Sequence, residues 1–212
     1  MLTDQKEIEI ISKAKQKNVR DPKRSREHFY RIFSDFLYNK NFVDKDFIDL
    51  GAGQFDFAEI VREKKGNCVG IDSDPAVLEL GRYKGFEAIE AKINKLMDYK
   101  IDRKFDGVFN KFSINAFWCR DDDDTHKALI KSLVALIKED GWSWIAPWNG
   151  IPASANLSED RIIHILEFQK NQFIQLGFDA IEISKEDAIY YGINGSVANN
   201  IIFTKNLKFE KH

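Results

Sequence analysis

The sequence predicts an α/β fold, a doubly wound and mostly parallel sheet with helices on both faces. Three observations lead there. The stretch Phe47-Ile48-Asp49-Leu50-Gly51-Ala52-Gly53-Gln54-Phe55, followed by Val69-Gly70-Ile71-Asp72, has the pattern of a strand, a glycine turn, a helix and a second strand ending in a carboxylate. Apolar spacing then keeps switching between strand and helix periods, so that five strand-like segments are separated by helices and should lie parallel. The last two strand-like segments have no helical pattern between them, and a short loop makes such a pair antiparallel neighbours.

Each element has its own signal. A first helix is predicted over Asp4 to Lys17, before Asp21-Pro22 breaks it. Ser25 caps a second helix whose Phe29, Ile32, Phe33, Phe36 and Leu37 form one apolar stripe. Phe47 to Leu50 is the first strand, Phe55 to Lys65 a helix closed by Gly66, and Cys68 to Asp72 the second strand. Asp74 caps a helix from Pro75 to Lys84, with proline in its first turn. Further strands are expected at Phe86 to Ile89, Gly107 to Asn110 and Trp142 to Ala146. The helix before the last of these, Thr125 to Lys138, places Leu129, Leu133, Leu136 and Ile137 on one side and stops before Gly141. Ser158 caps Glu159 to Leu176, which Gly177 ends, and Phe178 to Ile183 and Val197 to Thr204 complete the set as strands.

A chain of 212 residues, 43% of them hydrophobic, can bury one core, and no Pro-, Gly- or Ser-rich tract marks a linker. Residues 1–40 read as an N-terminal helical extension and 41–212 as the domain that carries the sheet. The charged N-terminus has no signal-peptide pattern and no apolar run approaches the length of a membrane span, so a soluble, cytoplasmic protein without membrane contact is expected. Cys68 and Cys119 are too few and too differently placed for a disulfide framework or a zinc site. A net charge of -2 does not favour nucleic acid as a partner. Charge is uneven, however. From Lys13 to Arg31 there are eight bases against two acids, a run that reads as a solvated helix face in preference to an anion-binding patch.

The glycine turn carries the chemistry. Small residues from Gly51 to Gly53 let the backbone approach a ligand, and Asp72, 19 residues beyond Gly53, sits where a βαβ unit delivers an acceptor for ribose hydroxyls. A dinucleotide fingerprint would have glycine at position 56, where this chain has Asp56. Asp49 would repel a diphosphate and favour a cationic amino-acid ligand.

These letters, DLGAGQF with GID downstream, resemble motifs I and II of the class I S-adenosylmethionine-dependent methyltransferases. The resemblance runs from Asp46 to Lys205 and implies a seven-stranded sheet in the order 3-2-1-4-5-7-6 with an antiparallel last strand. It implies S-adenosyl-L-methionine as cofactor, S-adenosyl-L-homocysteine as product, and Asp49, Gly51, Ala52, Gly53, Asp72, Ser73, Ala91 and Asn110 as the residues around them. It also implies that the helix carrying His28 can act as a lid. The chain departs from the motif at Phe55, where the family has a third glycine. That ring is expected to turn away from the methionine tail towards Ile60 or Phe57.

After the fourth strand the chain reads Asn110-Lys111-Phe112-Ser113, not the N-P-P-Y or D-P-P-Y of many enzymes that methylate exocyclic amino groups. Asn110, Lys111, Ser113 and Asn115 stand where an acceptor would enter. Trp148, the Tyr190-Tyr191-Gly192-Ile193-Asn194 loop and His28 would frame its pocket, so Asn110, Lys111, Trp148, Tyr191 and His28 are the acceptor-side candidates, with ordinary core and turn roles equally open for the aromatic ones. His126 and His164 suit packing or solvent exposure better than catalysis. The run Asp121 to Asp124 suits a helix start, with Asp124 as its cap, better than a metal, because consecutive side chains diverge. The expected activity is methyl transfer to oxygen or nitrogen of a small or flexible acceptor. Two alternatives remain at this level: a catalytically silent homologue serving as a partner subunit, and an aminopropyl-type transferase.

Overall fold

A computed structural model describes residues 4–17, 19–21, 26–98, 101–114, 123–149, 156–194 and 198–211. In chain order it contains α1 (Gln5–Ser12), α2 (Glu27–Phe36), β1 (Asp46–Leu50), α3 (Asp56–Glu63), β2 (Asn67–Asp72), α4 (Pro75–Tyr83) and β3 (Glu87–Glu90). A short 3-10 helix (Ile93–Asp98) leads to β4 (Phe105–Lys111), α5 (Asp123–Ala135), β5 (Ile137–Ala146) and β6 (Trp148–Asn149). The chain ends with α6 (Glu159–Gln175), β7 (Asp179–Glu182), α7 (Lys185–Tyr190), β8 (Ala198–Asn199) and β9 (Ile201–Lys205).

Seven strands form one sheet in the order β3-β2-β1-β4-β5-β9-β7, which in chain order of those strands is 3-2-1-4-5-7-6. Every pairing is parallel except those of β9, which runs antiparallel to both β5 and β7. The predicted class and order are therefore those observed. Asp74 and Ser158 cap α4 and α6 as expected, their side chains accepting from Ala76 N and Arg161 N.

Three expectations are corrected. The last two sheet strands do have a helix between them, α7, whose cap Ser184 accepts from Asp187 N at 3.0 Å. The segment expected as one strand from Val197 to Thr204 is divided, Ala198–Asn199 pairing with Trp148–Asn149 in a separate two-stranded ladder. Lys138 belongs to β5 and not to the preceding helix: Phe105 N takes the carbonyl of Leu136 at 2.7 Å, and the β4–β5 register then shifts between Phe105 and Gly107. Ser25, Asn115, Cys119, Asp121 and Asp122 lie outside the described residues; α5 begins at Asp123, which puts Asp124 inside the first turn and not before it.

Strand alternation divides the interior in two. On one face Phe47, Phe109, Trp142 and Trp144 meet α1 to α4; on the other Ile48, Leu50, Val108, Ile145 and Phe203 meet α5 and α6. The apolar stripe of α2 lies flat on the first face. Phe57 stacks on Phe109 at 4.1 Å and Phe109 on Trp144 at 4.9 Å, while Phe29 and Phe33 close over Phe109 and Phe57 at 6.0 and 5.5 Å. Pairs of this kind add about 0.5–1.5 kcal/mol each beyond area burial. α1 buries Ile10 and Ile11 in the same cluster as Ala76, Val77 and Leu80 of α4.

Phe55 has φ +62° and is fully buried. Its ring has other neighbours than the expected Ile60 or Phe57. It lies between Gly70 of β2 and Gly81 of α4, where a Cβ on either glycine would collide with it, and stacks on Phe86 at 5.6 Å. A left-handed backbone costs a non-glycine residue about 1–2 kcal/mol, whereas emptying a buried phenylalanine site costs about 3–5 kcal/mol. Phe55→Gly should therefore lower unfolding stability by about 2–3 kcal/mol in urea titration, and Gly81→Ala should also destabilise because the ring has no free space to enter. Wild-type stability in both variants would show that this packing is wrong.

Candidate functional site

β1 lies between β2 on one side and β4 on the other, so the crevice at its carboxyl end is a topological switch point, the place where open α/β sheets bind ligands. The turn that leaves β1 is fixed by its own backbone. Gly51 N and Ala52 N both donate to Ile71 O, at 2.8 and 3.0 Å, and Phe55 N donates to Ala52 O at 2.8 Å. Gly51 and Gly53 have φ of +83° and +53°. The space a side chain at position 51 would need is taken by Ser113, so glycine is required there on both conformational and steric grounds.

Asp72 ends β2 beside this turn. Its carboxylate accepts from Asp74 N at 3.0 Å and, more distantly, from Gly53 N at 3.4 Å. Burial pushes the carboxyl above its ordinary value, against the opposing pull of the neighbouring N–H groups of Asp74, Gly53 and Ser73. A desolvated acid of this kind is suited to accept further hydroxyl donors. Ala91, just after β3, is buried and donates its N–H to Asp72 O at 3.0 Å, which brings the third strand's end to the same crevice. Ser73 follows in an exposed position. Asp49 is 3% exposed on the face of β1 that carries Phe47, in register with Gly70, and its charge adds to the burial that pushes the Cys68 thiol well up.

The acceptor-side candidates divide. Asn110 is buried and committed, its Nδ2 donating to Leu50 O at 2.6 Å and its Oδ1 accepting from Ile114 N at 3.2 Å. It thereby ties the end of β1 to the loop after β4. In that loop Phe112 adopts φ +70°, and Ser113 closes over Gly51. Lys111 is 8% exposed, with its ammonium 4.4 Å from the centre of the Phe29 ring. His28, in the first turn of α2, packs against Gly192. Trp148 and Tyr191 take the second of the two roles open to them, being 1% and 0% exposed. Trp148 packs edge-on to Phe173, Phe203 and His126, and the Tyr191 hydroxyl donates to buried Asp35 of α2 at 2.7 Å. As packed here both rings belong to the core.

Three bases of the run near the N-terminus meet acids. Arg26 meets Glu59 and Glu63 of α3 at 3.4 and 2.9 Å, Arg31 meets Glu27 at 2.7 Å, and Lys13 meets Glu9 at 3.5 Å. Among the described residues no group of acidic, histidine and cysteine side chains could hold a metal ion, and no helix is long and apolar enough to cross a membrane. Gln54 was not singled out by sequence. It is 1% exposed and its Nε2 donates to Val19 O at 2.6 Å and Asp21 O at 3.0 Å. Its only sequence signal is its position directly after the second glycine.

No protein-family model matches the chain, and no curated protein matches its sequence. Solved structures do match. DesVI of Streptomyces venezuelae aligns with TM-score 0.53 and 10% identity over 84% of this chain and 89% of its own. The magnesium protoporphyrin IX methyltransferase of Synechocystis PCC 6803 with bound S-adenosylmethionine aligns with TM-score 0.50 and 11% identity over 79% and 72%. The bifunctional kinase-methyltransferase WbdD aligns with TM-score 0.56 and 13% identity over 92% of this chain and 43% of its own. The chain thus has the Rossmann-like fold of the class I S-adenosylmethionine-dependent methyltransferases.

His126 gives the region a pH signature. It is 1% exposed among Trp148, Phe168 and Phe173, and burial lowers its pKa from 6.5 to about 4. The unfolded chain takes up this proton near the ordinary value while the folded one resists it, so the contribution is intact above pH 6.5 and is lost as pH falls towards 4. The stability difference between pH 7 and pH 4.5 should shrink by about 2–3 kcal/mol in His126→Leu. Urea titrations at the two pH values measure it, and an unchanged difference would refute the assignment.

Proposed function

We propose that the chain binds S-adenosyl-L-methionine in the crevice at the carboxyl ends of β1, β2 and β4 and transfers its methyl group to oxygen or nitrogen of a small or flexible acceptor. The observation that carries this reading is the pairing of the Gly51–Gly53 turn with a half-buried Asp72 at a switch point of this fold. The turn leaves backbone where a ligand can approach, and Asp72 accepts from ribose hydroxyls. The carboxylate of Asp49 favours a positively charged amino-acid moiety.

The bound cofactor supplies an activated sulfonium methyl. What the protein must add is placement: holding two reactants in line is worth up to about 7–11 kcal/mol, and a general base matters only for an acceptor that arrives protonated. Asn110 keeps the acceptor edge fixed by joining Leu50 to Ile114. Lys111 and His28 are the titratable side chains we assign to the acceptor side. The burial of the Phe55 ring between Gly70 and Gly81 supports an active enzyme over a silent homologue whose departure from the motif at this position would fill the crevice.

Asp72→Ala should weaken S-adenosylhomocysteine binding by about 1.5–3 kcal/mol, roughly 10- to 150-fold, with an unchanged melting profile. Calorimetry measures this, and wild-type affinity in the variant would refute the ribose role. Absence of binding by the wild-type chain to either S-adenosyl compound would refute the function as a whole. A screen of small acceptors with labelled methyl donor then identifies the substrate.

A further inference from the structure

Gln54 is fastened at both of its polar ends. Its side-chain amide uses its donors on two carbonyls of one short stretch, Val19 O at 2.6 Å and Asp21 O at 3.0 Å. Its backbone carbonyl accepts from Lys84 Nζ at 3.1 Å, and that ammonium, on a side chain only 4% exposed, also reaches Glu59 of α3 at 3.1 Å and Glu7 of α1 at 3.8 Å. A second attachment lies at the other half of the crevice. Lys15 N donates to Asp74 Oδ2 at 2.6 Å, while the other oxygen of Asp74 caps α4 through Ala76 N at 3.0 Å. Asp74 in turn donates its own N–H to Asp72.

The chain that follows α1 is therefore hydrogen-bonded both to the glycine turn and to the residue that orients Asp72. These bonds are removed from water at Gln54, where leaving a donor or acceptor unmatched costs about 1–3 kcal/mol. Neither attachment can break cheaply while the turn keeps its conformation. The turn, equally, cannot shift without disturbing residues 19 and 21.

We propose that Gln54 is a positioning residue that locks residues 19–21 onto the cofactor turn, with Lys15 held beside it by Asp74, so that docking of these residues and binding of the adenosine ligand stabilise one another. This rests on the cofactor reading above. Two sites coupled in this way affect each other by the same factor. Ligand binding must slow the opening of the stretch, and release of the stretch must weaken the ligand.

The test uses the full-length chain, with S-adenosylhomocysteine as probe, and reads hydrogen exchange of residues 13–21 together with calorimetric affinity. In the wild type, saturating ligand should slow exchange in that stretch about tenfold, within the usual range of such couplings. Gln54→Glu keeps the shape but presents an acceptor to the two carbonyls; it should weaken binding about tenfold and abolish the ligand-induced slowing. Gln54→Met, which removes the donors without adding charge, should do the same and serves if the first variant does not fold. A purely structural role would lower the melting midpoint and leave the ligand-induced slowing in place. Binding by the wild type with no change in exchange at residues 13–21 overturns the coupling and leaves the cofactor assignment standing, as does wild-type affinity and slowing in either variant. Failure of the wild type to bind the probe overturns both.

Discussion

The carboxyl end of β1 is gripped from both neighbouring strands, and the arrangement of the crevice follows from that grip. From β2, Ile71 O receives Gly51 N and Ala52 N; from β4, Asn110 donates to Leu50 O. The last carbonyl of the strand and the first two amides of the turn are thus committed before any ligand is considered. Each bond sits among buried residues, where an unmatched partner is costly, so the turn has one conformation available to it. Asp72 and Ser113 take their places around this fixed point because they end or follow the adjacent strands β2 and β4, and Ala91, after β3, is brought there by its bond to Asp72 O.

Phe55 shows how a departure from a small-residue pattern can be absorbed. The bulk added at position 55 is matched by bulk missing at Gly70 of β2 and Gly81 of α4, the next two elements in the chain after α3. The backbone keeps the left-handed turn that glycine would adopt, and the ring's burial outweighs the cost of holding it. The requirement at this corner is therefore for a shape shared among three positions.

Much of the fold was legible because its signals are local. The glycine turn, the Asp74-Pro75 helix start and the Ser158 cap each depend on residues within a few positions, and each is found where it was expected. The missed helix α7 had such a signal too, Ser184 three residues before Asp187, but it spans only six residues and carries little periodicity. The start of β5 was obscured by a different effect: Ile137 continues the helical stripe in sequence, and only its pairing with Phe105 makes it a strand. At the site, Asp49, Gly51 and Asp72 stand out by residue type and strand position, whereas Asn110 enters only through the resemblance. Direction was not legible. Trp148 and Tyr191 lie at the expected edge, yet their rings point inward, to Phe173 and Phe203 in one case and to Asp35 in the other. Gln54 finds its partners 33 and 35 positions upstream, beyond any pattern read along the chain.

The bond from Tyr191 to Asp35 spans 156 positions, and its surroundings reach further still, with Glu210 N on Asp35 O and Phe209 stacked on Phe36 at 4.8 Å. During synthesis α2 emerges well before Tyr191, Phe209 and Glu210, which complete its packing. A nascent chain truncated before Tyr191 would hold both the glycine turn and β1 to β5 while lacking the phenol and the tail that seat α2. Contacts of such long range slow folding through the entropy of closing the intervening loop. The segments around the glycine turn, from Gly51 to Ser113, are thus translated well before Tyr191, Phe209 and Glu210, and until those follow a growing chain holds the aromatic face of α2 only partly covered.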